Sequence, residues 1–275
     1  MVDISHAAIS LISIIASLGI ALSASEELAT RRTYADGGLL SWSVLGVTRR
    51  RSHASWIPLD RLFDSRVYTA TIAAKLAAAV TLVAVVLALP DARLLAAVLT
   101  SAILALLLLM NARTSYGLDG ADHMYLVLFL GLAVYQVMPA GSIASLVGIL
   151  YIAAQSGISY LIAGIAKIFG ASWRDGTAIS GIMTTKIYGH TIAAARLQGR
   201  PALGRLLCWL VIAFEIMFVA SLIAGPRAMW AMLAVGVLFH ASTALLMGLN
   251  SFFFAFVATY PAIVVLNELV HRFVT

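Results

Sequence analysis

Five ionisable side chains lie within or at the edge of long apolar segments, and their chemistry needs an explanation. They are His123, Lys167, Glu215 and His240, with Lys75 as a fifth. A charged side chain at the centre of a membrane helix costs at least about 2.5–3.5 kcal/mol. Such residues therefore pair with one another or carry a function, and both interpretations predict polar surroundings inside the protein.

Lys167 lies near the end of the fifth apolar segment and has two interpretations. A lysine near a helix end extends its ammonium group to the membrane interface at little cost, which is a purely structural role. A desolvated lysine with a lowered pKa instead acts as a base near neutral pH. Ser156 and Tyr160 precede Lys167 on the same helical face. This polar stripe favours a face that looks into the bundle.

The other candidates also have a structural and a functional interpretation. His123 follows Asp122 at the start of the fourth segment, where an aspartate commonly caps a helix. Glu215 and His240 lie inside the sixth and seventh segments and could form a pair that joins helices, or line a polar pocket. The spacing of these residues does not match a metal-binding pattern, so we expect no metal.

The elements that position these residues follow from composition. Hydrophobic residues make up 62% of the 275-residue chain and charged residues only 11%, whereas a soluble domain is roughly 25% charged. The apolar runs are unbroken over about 20 residues, which favours membrane helices over the alternating strands of a barrel. We predict an all-α polytopic bundle, residues 1–275, without a soluble domain. Its eight spans are predicted at 4–24, 67–90, 92–111, 122–138, 142–169, 204–224, 228–247 and 251–270.

The distribution of arginine and lysine predicts how the bundle is oriented. With eight spans, most of the 18 basic residues fall in loops on one side, and basic loops remain in the cytoplasm. We therefore expect a multi-pass protein of the cell membrane, with loops 25–66 and 170–203 cytoplasmic and both termini outside. The first span lacks a basic leader and is read as a retained helix. Basic residues beside the membrane contact anionic lipids, and we expect no nucleic-acid partner.

This topology also predicts that the candidate residues share a depth. His123, Lys167 and His240 fall in the cytoplasmic half of the membrane, and Glu215 lies near its middle. A polar pocket between helices explains such a grouping.

Four segments of the chain resemble the vitamin K-dependent gamma-carboxylase-like family, whose membrane part is the horizontally transferred transmembrane (HTTM) domain. The likeness covers residues 34–260 and is most specific in the third segment. The segments are Tyr34-Ala-Asp36-Gly37-Gly38-Leu-Leu, Gly120-Ala-Asp122-His123-Met-Tyr125-Leu, Tyr160-Leu-Ile-Ala163-Gly164-Ile-Ala-Lys167 followed by Trp173-Arg-Asp-Gly176, and Phe239-His240 followed by Gly248 and Phe252 to Tyr260.

The resemblance implies roles for matching residues. Lys167 matches the lysine that acts as a base toward vitamin K hydroquinone, and His123 matches a histidine that stabilises the developing oxyanion. His240 matches a later histidine, and Glu215 falls where the family often places an acidic residue. Glu215 and His240, together with Tyr160 and Asp122, are expected to line the pocket. The implied cofactor is a quinol, either vitamin K hydroquinone or a menaquinol-like lipid.

The chain also departs from that family. Carboxylases carry a large extramembrane region that grips a peptide substrate, whereas this chain ends at Thr275, so we do not expect a full protein gamma-carboxylase. Their site faces the secretory lumen, whereas the basic loops place Lys167 toward the cytoplasm. The first hypothesis is a quinol-dependent lyase or oxidoreductase that acts on a small or peptide substrate. The alternative is an auxiliary membrane component for maturation of a secreted peptide toxin, as in sporulation-delaying-toxin systems, with loop 25–66 docking a cytoplasmic partner.

Overall fold

The protein is almost entirely helical, as a computed structural model shows. The structure describes residues 2–50, 63–114, 118–139 and 141–274, and no strand occurs among them. The helices are α1 Val2–Ala29, α2 Trp42–Arg50, α3 Ser65–Ala88, α4 Arg93–Arg113, α5 Gly120–Val137, α6 Ile143–Phe169, α7 Ala171–Asp175, α8 Ala178–Met183, α9 Thr191–Leu197, α10 Pro201–Phe218, α11 Pro226–Met247, α12 Asn250–Val257 and α13 Tyr260–Val274. The predicted all-α class is confirmed.

Eight segments within the described residues are long and apolar enough to cross a membrane. They are Ile4–Ala29, Ser65–Ala88, Arg93–Arg113, Gly120–Val137, Ile143–Phe169, Pro201–Leu222, Pro226–Met247 and Asn250–Arg272. Each overlaps one predicted span, so the multi-pass character is confirmed by length and apolarity. The first span continues about five residues beyond its predicted end and carries Glu27 inside the helix.

The last predicted span, 251–270, is not one continuous helix. Helix α12 ends at Val257, and α13 begins at Tyr260 after a turn at Ala258 and Thr259. Pro261 explains the interruption, since proline has no N–H to donate to the preceding turn and disfavours helical backbone before it. The break places the polar side chains of Thr259 and Tyr260 in the middle of the span.

The chain forms two compact units. The N-terminal unit consists of Ile9–Gly148, and the C-terminal unit consists of Asp3–Ala8 with Ile149–Thr275.

In the N-terminal unit, α3, α4 and α5 pack against one another in chain order. A buried cluster of Ala24, Tyr68, Ile72 and Met110 joins α1, α3 and α4. At the opposite end of α4, Arg93 donates to the carbonyls of Gln136, Tyr135 and Met138. These carbonyls end α5 without helical partners, so a single guanidinium satisfies them.

In the C-terminal unit, α10 packs against the short helices α7 and α8, and α11 packs against α12. Small residues bring α6 close to α10 and to the 3-10 helix Val219–Leu222 that follows it. A Cβ atom at Gly157 would lie 2.9 Å from Leu222, and one at Gly164 would lie 2.7 Å from the side chain of Ile216. Membrane helices approach closely through such positions because no side chain separates their backbones. This close approach determines where the side chains that follow Gly164 lie.

Candidate functional site

Lys167 and Glu215 form an ion pair between α6 and α10. The ammonium nitrogen of Lys167 donates to both carboxylate oxygens of Glu215, at 2.8 and 2.7 Å. The side chain of Glu215 is 6% exposed and that of Lys167 is 20% exposed. The same nitrogen lies 5.1 Å from the ring centre of Trp173 on α7. Lys167 is therefore held inside the unit by a defined partner instead of extending freely into solvent.

The sequence around Gly164 explains why the two side chains meet. A Cβ atom on Gly164 would lie 3.0 Å from the backbone nitrogen of Ile216 and 3.1 Å from Cβ of Glu215. The glycine thus allows α6 to contact α10 at the turn that carries Glu215. Lys167 follows three residues later, on the same side of α6, and is within hydrogen-bonding distance.

The pair lies in the wall of a cavity of about 630 Å³ within the C-terminal unit. Helices α6, α10 and α11 form most of the wall, and α7, α8 and α12 contribute to it. The lining is largely aliphatic and aromatic, with Phe214, Phe239 and Phe252 among its rings. Several lining side chains are exposed on the outside of the helices, including Leu210, Val235 and Leu238. These residues lie on candidate membrane spans, so the cavity borders a surface of the kind that lipid contacts.

A second polar group in the cavity wall centres on Tyr160. Its hydroxyl lies 2.6 Å from Nε2 of His240 and 2.9 Å from the hydroxyl of Tyr260. Aromatic rings enclose the group, because Phe218 stacks on Tyr160 at 3.8 Å and Phe256 stacks on His240 at 4.7 Å. Nδ1 of His240 is buried and has no hydrogen-bond partner among the described residues.

Gly236 on α11 makes room for this arrangement. A Cβ atom there would collide with the hydroxyl of Tyr260. Tyr260 therefore reaches Tyr160 only because the facing helix has no side chain at this point.

The structure brings together four of the six predicted site residues. Lys167, Tyr160, Glu215 and His240 all line the cavity. It does not join Glu215 to His240, which was one of the structural interpretations, because Glu215 pairs with Lys167 and His240 with Tyr160. The predicted polar face of α6 is also present, since Ser156 on that face contacts the hydroxyl of Thr259 at 2.8 Å.

The two remaining predicted site residues, Asp122 and His123, belong to the N-terminal unit. Asp119 and Asp122 form a capping box at the start of α5, in which Asp122 accepts a 3.0 Å hydrogen bond from the backbone nitrogen of Asp119. His123 is exposed, and its Nδ1 lies 2.8 Å from the carbonyl oxygen of Asp119. Neither residue lines the cavity of the C-terminal unit, and their chemical roles remain predictions.

Sequence reasoning missed Tyr260 and Trp173 as parts of the site. Both stood in the quoted segments without a role. The usable signal for Tyr260 was Pro261, which predicts a helix break next to a polar side chain inside an apolar segment. For Trp173 no local signal existed, because its contact with Lys167 depends on the turn at Gly170 between α6 and α7.

The site combines a largely apolar cavity with two hydrogen-bonded polar groups, the Lys167–Glu215 pair and the group centred on Tyr160. Within the described residues, no cluster of three or more His, Cys, Asp or Glu side chains has the geometry of a metal site. In comparisons with known proteins, the chain matched no protein-family model, no curated protein and no solved structure.

Proposed function

We infer that the cavity of the C-terminal unit binds a lipid-soluble phenol of the quinol type, and that the Lys167–Glu215 pair exchanges a proton with its hydroxyl group. The observation that carries this proposal is a lysine–glutamate pair set in the wall of a largely apolar cavity of about 630 Å³. Pockets for small molecules are commonly apolar, with a few convergent polar groups that fix orientation. A quinol has this same division between an apolar body and polar oxygens.

The proposed reaction consists of two proton transfers. Lys167 begins as an ammonium group and Glu215 as a carboxylate, and transfer of one proton within the pair gives an amine and a carboxylic acid. This transfer removes both charges together, so it leaves no isolated buried charge. The amine of Lys167 then accepts the proton of the phenolic hydroxyl. The products are a phenolate, the ammonium group of Lys167 and Glu215 as a carboxylic acid, so the phenolic proton has passed in net terms to Glu215 through Lys167. The new anion forms beside a cation.

Trp173 and the Tyr160 group complete the site. The indole of Trp173 flanks the ammonium group of Lys167 and lines the cavity, where an aromatic ligand could stack on it. The Tyr160 group offers hydrogen bonds to an oxygen of the ligand after a local rearrangement. His123 as the stabiliser of the anion, membership of the HTTM family and a carboxylase-like reaction remain proposals that rest on the resemblance.

The direct experiment compares Lys167→Arg with Lys167→Met in detergent-purified full-length protein. Arginine keeps a positive charge for Glu215 but is not deprotonated in proteins. If Lys167 is the base, both variants lose turnover of a hydroquinone substrate by about 100-fold or more. If the residue only pairs with Glu215, the arginine variant keeps its activity, and this outcome rejects the base role.

Ligand binding is measured separately by quenching of tryptophan fluorescence with a short-chain menaquinone analogue. The chain has five tryptophans, and among those that the structure describes only Trp173 lines the cavity. We expect quenching in the native protein and most of that quenching to disappear in Trp173→Phe. Equal quenching in both proteins would place the quinone elsewhere and reject the cavity as its site.

The alternative function, an auxiliary role in maturing a secreted peptide toxin, stays a prediction. Its docking surface was predicted in loop 25–66, and residues 51–62 of that loop lie outside the described residues.

A further inference from the structure

The segment between α6 and α10 forms a second cavity, a groove of about 1060 Å³. The short helices α7, α8 and α9 build it, and residues 175–201 line it. Phe169 ends one membrane span and Pro201 begins the next, so the groove lies at a membrane surface. Two cationic side chains, Lys186 and Arg200, are part of its lining.

The charge of this segment is strongly biased toward cations. Asp175 is the only carboxylate between residues 170 and 203, and it accepts hydrogen bonds from the hydroxyl and backbone nitrogen of Thr177 at 2.7 and 2.9 Å. These bonds from Thr177 lower the pKa of Asp175, so its carboxylate is ionised and is hydrogen-bonded to Thr177. Lys186 and Arg200 are exposed and form no ion pair among the described residues. Asp175 also lines the groove, so the lining carries two cations and one carboxylate, and neither cation is held in an ion pair among the described residues.

Several apolar side chains of this segment and of the adjoining end of α6 are also exposed, although they do not line the groove itself. Ile187 is 80% exposed and Ile192 is 59% exposed, and Tyr188 and Phe169 are also exposed hydrophobic residues. If this segment faced only water, the exposed apolar area would be unfavourably hydrated. Apolar and aromatic side chains next to lysine and arginine are instead typical of segments that lie in the headgroup region of a bilayer.

We propose that this groove, here named the 175–201 groove, binds the phosphate-bearing headgroup of an anionic membrane lipid through Lys186 and Arg200. Ile187, Tyr188 and Ile192 then contact the adjoining acyl region. Both features come from one segment, and together they select a lipid over a free phosphate ester, which has no apolar part to bury.

The groove also borders the cavity of the proposed function. Met183 lines both of them, so a lipid headgroup in the groove lies on the other side of α8 from the Lys167–Glu215 pair. The lipid site nevertheless stands on its own charges and exposed apolar residues, and it does not depend on quinol binding.

The experiment compares two double variants that remove the same charge from the same segment. Lys186→Gln with Arg200→Gln changes the groove. Arg174→Gln with Arg196→Gln is the matched control, because these arginines are exposed and do not line the groove. Native mass spectrometry of the detergent-purified full-length protein measures binding of phosphatidylglycerol, with phosphatidylcholine and sn-glycerol 3-phosphate as comparison ligands.

We expect the native protein to bind phosphatidylglycerol more tightly than either comparison ligand. Each basic residue near an anionic surface contributes about 1 kcal/mol, so the groove variant should bind about 30-fold more weakly. The control should lose no more than about threefold. Equal losses in the two variants would mean general electrostatic attraction and overturn the proposal, as would equal affinity for phosphatidylcholine or for glycerol phosphate. Should the double variant fail to purify, Lys186→Gln and Arg200→Gln are tested singly, each with an expected loss of about fivefold.

Discussion

Each unit of the protein contains a buried lysine–glutamate pair, and the two pairs differ in their surroundings. In the N-terminal unit, Lys75 donates to Oε1 of Glu27 at 2.8 Å, and the two side chains are 3% and 19% exposed. In the C-terminal unit it is the lysine, Lys167, that is the more exposed partner, at 20% against 6% for Glu215. The first lysine is enclosed by protein, and the second lies at a cavity.

The hydrogen bonds of the two carboxylates show a related difference. Glu27 receives Lys75 and the hydroxyl of Ser23 on the same oxygen, and its Oε2 is buried without a partner among the described residues. Both oxygens of Glu215 bind the one nitrogen of Lys167. An enclosed lysine has no room for a ligand, so Lys75 acts as a link between α1 and α3. The cavity gives Lys167 the access that a proton transfer requires.

The comparison predicts its largest effect at Lys75. Removing one partner of a buried ion pair leaves an uncompensated charge and typically costs about 3–5 kcal/mol. We expect Lys75→Met to lower the free energy of unfolding by this amount, because Glu27 forms no other ion pair within the part of the chain that the structure describes. Thermal unfolding of the detergent-purified protein measures it.

Two further variants make the test specific. Lys167→Met should cost less, about 1–2 kcal/mol, although the side chain of Glu215 is only 6% exposed. Glu215 lines the cavity beside Lys167, so loss of the ammonium group lets water in the cavity reach its oxygens, whereas Oε2 of Glu27 is buried. The double variant Lys75→Met with Glu27→Leu should recover most of the loss, since apolar replacements of a buried pair are often neutral. Equal losses for Lys75→Met and Lys167→Met would erase the distinction between an enclosed and an accessible pair.

The second prediction concerns a variant that separates Lys167 from Glu215 without removing either charge. In Gly164→Leu, the new side chain meets the backbone of Ile216 and pushes α6 away from α10. Overpacking of this kind costs about 1–3 kcal/mol, and we expect tryptophan quenching by the menaquinone analogue to weaken in parallel.

Gly181→Leu is the matched control for that variant, because no atom lies within 4 Å of a Cβ built at Gly181. It should change the melting temperature and the quenching little. If Gly164→Leu leaves both unchanged as well, Gly164 does not position Lys167.

Residue types alone identified the ionisable groups of the cavity but not how they pair. Lys167, Glu215 and His240 stood out because ionisable groups are rare in membrane spans, and all three line one cavity. Their partners depended on packing, since Lys167 and Glu215 are separated by 48 residues and meet only where Gly164 allows α6 to approach α10. A glycine inside a span predicts a close approach without naming the neighbour.

The polar segments were the least predictable part of the fold. Between residues 170 and 203 the sequence indicated a loop, yet the structure forms the short helices α7, α8 and α9 there. Each is seven residues or shorter, and helices of this length are not stable by their own propensity. They depend on packing, for example of α7 and α8 against α10. Hydrophobic periodicity over so few residues carries too little signal to predict them.

The smallest predicted effect concerns the second polar group of the cavity, which has no counterpart in the Lys75–Glu27 pair. Tyr260→Phe removes the 2.9 Å hydrogen bond to Tyr160 but leaves the 2.6 Å contact between Tyr160 and His240. We expect a loss of about 1 kcal/mol in the free energy of unfolding, which is typical of a single hydrogen bond. Binding of the menaquinone analogue should weaken by less than in Lys167→Met. If Tyr260→Phe abolishes binding and Lys167→Met does not, the Tyr160 group and not the ion pair holds the ligand. The accessible pair would then be a structural link, as the Lys75–Glu27 pair is.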